Sequence, residues 1–345
     1  MSMIGLSLRF FTGINFFGII FRSSRDLQKM NTEVSTQPDA SSARPSPSIK
    51  DFIDLARPFT MLAPFIGILS GSIIAMGDLG QGFGLIWVGV LAGIAGSLLN
   101  AASNAINQYY DLEIDRINKP QRPLPSGRLS VKQVMTFAWI LYIVCFVLGF
   151  LVNLSYLVVV IICTLFTWGY SAPPVRFKNN GILANIAMAI PRGYMMIVGG
   201  WVAVRPDDWA NPTPWLIGTV IFLFVVGSAS TKDFADVKGD EAGGAKTVVV
   251  QFGFRKAAWI IAPFLVIPYL AIPILYAIAG PDSLRTATVW LSLLAIYGAF
   301  IAWLIVRDPD SMAMEGNHPS WIHMYALMML TQAGFAIIYA LPAPS

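Results

Sequence analysis

Asp111, Glu113 and Asp115 fall within five positions at the end of an apolar run long enough to cross a membrane. Carboxylates at a membrane boundary are costly unless something cationic compensates them. Asn107, Asp111 and Asp115 recur every fourth residue. On a helix they share one face, each roughly 6 Å along the axis from the next. Like charges at that spacing repel, and a helix C-terminus disfavours anions further. A bound divalent cation resolves both costs. Asp236 and Asp240 repeat the four-residue spacing at the end of a later apolar run. A solvated loop face explains most isolated acidic pairs. It explains poorly two motifs at matched ends, the first of which continues a polar stripe from Asn100 and Asn104.

Basic residues crowd both motifs: Lys119, Arg122 and Arg128 after the first, Lys232, Lys238 and Lys246 around the second. Hard cations such as Mg²⁺ take oxygen ligands, keep some waters and let substrate phosphates complete the shell. Neighbouring Lys and Arg would hold the phosphate oxygens left free. Acids and bases above an apolar bundle suit a diphosphate head carrying a long hydrocarbon tail. The head would sit at the mouth and the tail would run down between helices.

The elements that must position these groups are membrane helices. Of the 345 residues 56% are apolar and only 12% charged, with a mean hydropathy of +0.64, whereas soluble domains carry about 25% charged residues. The prediction is an all-α polytopic membrane protein. Nine spans are expected near 60–77, 84–107, 133–152, 154–170, 183–203, 214–231, 257–279, 287–306 and 321–341, around a central lipid-facing cavity. The apolar runs lack the period-two alternation of barrel strands. The loops near 108–132, 171–182, 232–256 and 307–319 share one side and carry most of the Lys and Arg. The opposite connections hold only Arg205 and Arg285. That bias puts both acidic motifs on the cytoplasmic side. It also accounts for the net charge of +4 without any nucleic-acid role. Oligomeric state stays open.

Cys145 and Cys163 fall inside spans and read as packing residues. His318 and His323 are badly spaced for a shared metal. Residues 1–49 read as an extension outside the 50–345 membrane domain: a transit peptide, a disordered tail, or an upstream start with Met30 as the initiator. Ser48–Arg57 reads as an amphipathic interfacial lead-in.

Taken together, Asn107-x3-Asp111-x3-Asp115, the Asn118-Lys-Pro-Gln-Arg-Pro-Leu-Pro-Ser-Gly127 loop and Asp236-x3-Asp240 resemble the signatures of the UbiA superfamily of intramembrane prenyltransferases. Tyr170-Ser-Ala-Pro-Pro174, with Arg176 and Lys178, resembles that family's loop after the fourth helix. The resemblance covers roughly residues 50–341. It is closest to the branch containing digeranylgeranylglyceryl phosphate and chlorophyll synthases.

The resemblance implies Mg²⁺-dependent transfer of a prenyl group from a polyprenyl diphosphate, geranylgeranyl diphosphate being one candidate, to a lipophilic acceptor. That acceptor would offer a hydroxyl or carboxylate, as geranylgeranylglyceryl phosphate or chlorophyllide does; aromatic C-prenylation is the nearest alternative. A cation-coupled transporter is the reading from another class. Two Mg²⁺ ions are implied, one held by Asn107 and Asp111 with help from Asp115, the other by Asp236 and Asp240. Lys119, Arg122, Arg176 and Lys178 become diphosphate or acceptor anchors, with Asn104 and Lys232 as further substrate contacts. Asp233 is a candidate ligand, three residues before Asp236. Tyr170 could donate to the diphosphate or flank a carbocation with its ring. Asn185 and Arg192 interrupt the fifth span seven residues apart, on similar helical faces, and are expected to line the cavity, with a kink at Pro191.

Overall fold

The computed structural model describes residues 46–80, 82–280, 288–313 and 318–341. The expectations for residues 1–45 and for Arg285 lie outside the described residues.

Ser48 opens the first helix with a reciprocal capping box, accepting from the Asp51 amide while the Asp51 side chain accepts from Ser48. This helix, α1 (Ile49–Ala56), is the expected lead-in, with Leu55 buried and Ile49 and Ile53 exposed. Arg128, from the loop after the first acidic motif, ties α1 down through Asp51 at 2.7 Å and Asp54 at 2.9 Å.

Among the described residues nine helices are long and apolar enough to cross a membrane, all but the seventh close to the predicted bounds. The first two are α2 (Pro58–Asp78) and, after a 3₁₀ turn, α3 (Ile86–Tyr110). A short α4 (Leu112–Asn118) carries the rest of the first motif. The next spans are α5 (Val131–Val152), capped by a Ser130–Gln133 box, and α6 (Leu154–Ser171), capped by Asn153. The fifth span is composite: α7 (Gly181–Ala189), a π-helical turn over Ile190–Met195, and α8 (Met196–Val204). The sixth is α9 (Pro212–Ser228), finishing in a 3₁₀ turn over Ala229–Phe234, and α10 (Val237–Ala242) carries the second motif. The last three are α11 (Val248–Leu270), which continues as α12 (Ile272–Ala279), then α13 (Leu294–Arg307) and α14 (Pro319–Ala340). The seventh span thus starts at Val248, about nine residues ahead of the expected 257, and Gly253, at φ 74°, breaks it near that start.

The bundle closes on α2, which packs against α3, α8 and α14. Its contact with α8 is backbone to backbone. A Cβ on Gly200 would lie 2.0 Å from the Ile68 carbonyl oxygen, and one on Gly71 would lie 2.3 Å from that of Ile197. Small residues allow this approach, and Ser72 Oγ adds a bond to the Gly200 carbonyl at 2.9 Å. Helices α5 and α6 turn Ile140, Ile143, Phe150, Leu154 and Leu165 outward, as lipid contact requires.

Candidate active site

Six spans, but not nine, wall a central cavity of about 490 Å³: α2, α3, α6, the composite fifth span, α9 with its 3₁₀ turn, and α14. Helices α5, α11 and α13 stand outside it. The inner wall is apolar, with Val159, Val160, Cys163, Met195, Met196 and Phe224. The wall turns polar at the end bearing the acidic motifs, where Asn104, Asn107, Lys119, Arg122, Tyr170, Arg192, Lys232 and Asp236 contribute.

The first motif does not sit on one unbroken helix. Asp111 falls at φ −103°, ψ 15°, between α3 and α4. The four-residue bonding nevertheless continues through the break, from the Asp111 amide to the Asn107 carbonyl and from Asp115 to Asp111. The three residues therefore keep their common side. Asn107 donates to Asp111 Oδ2 at 2.7 Å and to Ser171 Oγ at 3.1 Å, which leaves its oxygen as the atom for a cation.

Every motif carboxylate but two lies directly against a cation. Lys178, buried, is 2.7 Å from Asp111, and Arg176 reaches the same oxygen at 3.1 Å. Arg122 grips both Asp115 oxygens, at 2.5 and 2.6 Å. Lys119 crosses to Asp236 in the second motif. Asp233 and Asp240 are the exceptions. Asp233 is buried near Lys232, Asp240, Asp236 and Lys178. Burial pushes the Asp240 carboxyl up to about 6; the facing Lys178 opposes this and Asp236 adds to it. Burial also raises Asp115 despite Arg122.

Lys178 thus sits between the two motifs. Its loop is held there by backbone bonds between the Lys246 amide and Asn179, and between the Gly181 amide and the Lys246 carbonyl. A second link is Asn118, which donates to the Asp236 carbonyl and accepts from the Gly239 amide, both at 2.8 Å. One side chain at the end of α4 therefore fixes the start of α10. Asn118 belongs to the loop that carried the family resemblance, but nothing in its spacing marked it as the clasp between the motifs.

Other expected residues fall as follows. Tyr170 lines the cavity and already engages Lys232, whose Nζ is 2.7 Å from the hydroxyl and 4.8 Å from the ring centroid. Arg192 lines the cavity from within the π-helical turn Ile190–Met195, which also contains Pro191. Such turns concentrate at functional sites. Asn185 is not in the cavity wall: it is buried and bonded to Ser230 Oγ at 2.6 Å, because the π turn shifts the register between it and Arg192. Asn104 lines the cavity, but its amide holds the α1–α2 junction through the Ala56 carbonyl at 2.9 Å and Thr60 Oγ1 at 3.1 Å. Glu113 is solvated, paired with Arg116. His323 bonds Tyr297 at 2.7 Å.

Arg57 is the residue the sequence reading passed over. It lines the cavity with an Nη2 that is enclosed and has no hydrogen-bond partner. Burial, and after it the nearby Arg122, pull its guanidinium down to about 10, so it stays charged at neutral pH. The electrostatic signal was mixed. Arg57 is the N-cap of α2, the end where a helix disfavours cations, and also the C-cap of α1, where a cation is favoured.

The donor set is all hard oxygen, and among the described residues no three acids converge into a ready cage. That fits Mg²⁺, which would take one or two side chains from each motif and leave the rest of its shell to water and phosphate.

A family model for UbiA prenyltransferases matches residues 65–315. The chain belongs to the UbiA prenyltransferase family. It is a UbiA-type prenyltransferase, which removes the transporter reading. Digeranylgeranylglyceryl phosphate synthase of Thermococcus kodakarensis is 32% identical over 293 residues, covering 84% of this chain and 97% of the relative. The Methanosphaera stadtmanae synthase of the same name is 30% identical over 225 residues, 65% of this chain and 77% of the relative. Among solved structures, a UbiA homologue from Archaeoglobus fulgidus bound to GPP and Mg²⁺ superposes with a TM-score of 0.64 at 17% identity, over 84% of this chain and all of that one. A structure of digeranylgeranylglyceryl phosphate synthase gives 0.60 at 23% identity, over 85% and 98%. These likenesses give the same membrane fold.

Proposed function

We propose that this UbiA prenyltransferase joins the prenyl chain of geranylgeranyl diphosphate to the free hydroxyl of geranylgeranylglyceryl phosphate, making an ether lipid. The observation that carries the reading is a cavity whose apolar shaft ends in hard-oxygen and cationic groups from both motifs, in a chain that matches the Thermococcus kodakarensis synthase over 97% of that relative's length. The excess of Lys and Arg in the loops on this side supports a cytoplasmic mouth.

In this reading Asn107 and Asp111, with Asp115 behind them, would hold one Mg²⁺ ion, and Asp236 and Asp240, with Asp233 close by, would hold a second. Bound there, they would neutralise charge on the departing pyrophosphate. The protein's own groups do the rest. Lys119, Lys178, Arg122 and Arg176 compensate the carboxylates at rest. They lie within reach of diphosphate oxygens once those carboxylates have other partners. Lys232, held on the Tyr170 ring, and Arg192 extend positive charge to the α6–α9 side. The apolar shaft takes the isoprenoid tail and keeps water from the allylic carbon. The C1–O bond breaks with its electron pair leaving on pyrophosphate. The acceptor oxygen forms the new C–O bond, and its proton passes to the departing pyrophosphate.

Binding of a non-hydrolysable geranylgeranyl diphosphate analogue tests the site. It should require Mg²⁺ and saturate at two ions per bound analogue, falling to one in Asp111→Asn and in Asp240→Asn. Equally tight binding in metal-free buffer would refute the arrangement.

A further inference from the structure

We propose that Arg57 anchors the phosphate of the acceptor lipid and thereby sets the enzyme's preference for a phosphorylated acceptor. The inference rests on the reaction proposed above and adds a residue to it.

The backbone of Arg57 is left-handed, at φ 54°, ψ 72°. A non-glycine residue there is disfavoured by roughly 1–2 kcal/mol, so surrounding structure must impose it. The restraints are visible. The Arg57 amide bonds the Ile53 carbonyl at 3.1 Å, and Thr60 Oγ1 bonds the Arg57 carbonyl at 2.9 Å. Thr60 Oγ1 is in turn held by Asn100 at 3.0 Å and Asn104 at 3.1 Å. Two asparagines of α3 thus brace the turn that carries Arg57.

The braced side chain is cationic, enclosed at Nη2 and without a partner for that nitrogen. Lys119, Arg122, Arg176 and Lys178 are each already held by a carboxylate. No ion pair is formed by Arg57 among the described residues. A buried donor left unmatched is costly, and a planar guanidinium matches a phosphate with two parallel bonds. An anion arriving from outside the chain satisfies it.

Place argues for the acceptor over the donor. Arg57 stands at the start of α2, electrostatically coupled to Arg122, Asp115, Asp236 and Tyr325. It is therefore near the reacting end, on the α2–α14 side. In the arrangement proposed above the donor's diphosphate lies between the two motifs around Lys178, which pairs with Asp111, whereas Arg57 has no carboxylate in salt-bridge contact among the described residues. Tyr325 of α14 lies near Arg57 and packs on Phe59 of α2, ring centroids 5.0 Å apart; with Trp321 and Met328, also in the cavity wall, they offer apolar surface for the acceptor's own chain.

The test is steady-state transfer with donor and acceptor varied separately, for the full chain and for Arg57→Gln and Arg57→Gly. Glycine relieves the left-handed backbone while deleting the side chain, so its loss of function does not report misfolding. Both variants should raise KM for geranylgeranylglyceryl phosphate about 10- to 150-fold, the worth of a charge-assisted hydrogen bond, with KM for the donor within about twofold. Arg57→Lys should recover part of the loss. With geranylgeranylglycerol, which lacks the phosphate, the ratio of the two acceptors' KM values should collapse toward one in the variants. A rise confined to donor KM, or an unchanged acceptor ratio, overturns the assignment. Wild-type protein that ignores both glycerol lipids refutes the proposed function instead. Arg57 is then judged by whether glycerol phosphate inhibits whatever transfer is found: inhibition lost in Arg57→Gly supports the anchor, and inhibition retained or never seen overturns it.

Discussion

Asn118→Ala probes how the two metal-binding motifs are held together. The Asn118 side chain makes two bonds across the mouth, to the Asp236 carbonyl and from the Gly239 amide. Each such bond is worth about 0.5–1.5 kcal/mol net. Losing both removes about 1–3 kcal/mol from the geometry that holds Asp236 and Asp240. If that loss falls on the transition state, kcat/KM drops about 5- to 150-fold. Prenyl transfer across an Mg²⁺ titration is the assay, with thermal unfolding in detergent alongside. The Mg²⁺ needed for half-maximal rate should rise, while the unfolding midpoint shifts by only a few degrees. Gly239 sharpens the test. A Cβ there would lie 2.4 Å from Asn118 Nδ2, so Gly239→Ala should also impair transfer. The double variant should then be no worse than Asn118→Ala, because truncation makes room for the methyl group. Wild-type Mg²⁺ dependence in Asn118→Ala, or additive losses in the double variant, would refute the clasp.

Two further predictions follow from the site. Asp240 titrates near 6 and must be ionised to hold a metal. Its raised pKa keeps the proton bound as pH falls through 6, so Mg²⁺ half-saturation should climb by up to about tenfold per pH unit below 6 and level off above about 7; a requirement unchanged between pH 5 and 7 would contradict this. Asn185→Ala removes a buried bond to Ser230. It should cost about 0.6–2 kcal/mol of stability with donor KM unchanged. Raised donor KM at full stability would return Asn185 to the cavity wall.

Much of this architecture was legible in the chain. Span lengths follow from runs of apolar residues, and the acid spacing survives because backbone bonding continues through Asp111. What was not legible depends on tertiary contact. The sequence could propose Lys119 and Lys178 as phosphate anchors, but not that they rest on Asp236 and Asp111. Helix phase assumed 3.6 residues per turn, and the π turn at Ile190–Met195 broke that assumption, separating Asn185 from Arg192. Asn118 and Arg57 escaped notice because the last residue of a short helix and the last residue of an amphipathic lead-in carry no periodic signal.

The most direct test of the central claim is transfer by purified protein in detergent, using labelled geranylgeranyl diphosphate with and without Mg²⁺. Geranylgeranylglyceryl phosphate, chlorophyllide and an aromatic acid would be offered as acceptors. The account predicts a labelled ether from the glycerol-phosphate lipid alone, dependent on Mg²⁺ and absent in Asp111→Asn. A product formed only with chlorophyllide or the aromatic acid, or formed equally without Mg²⁺, would contradict it.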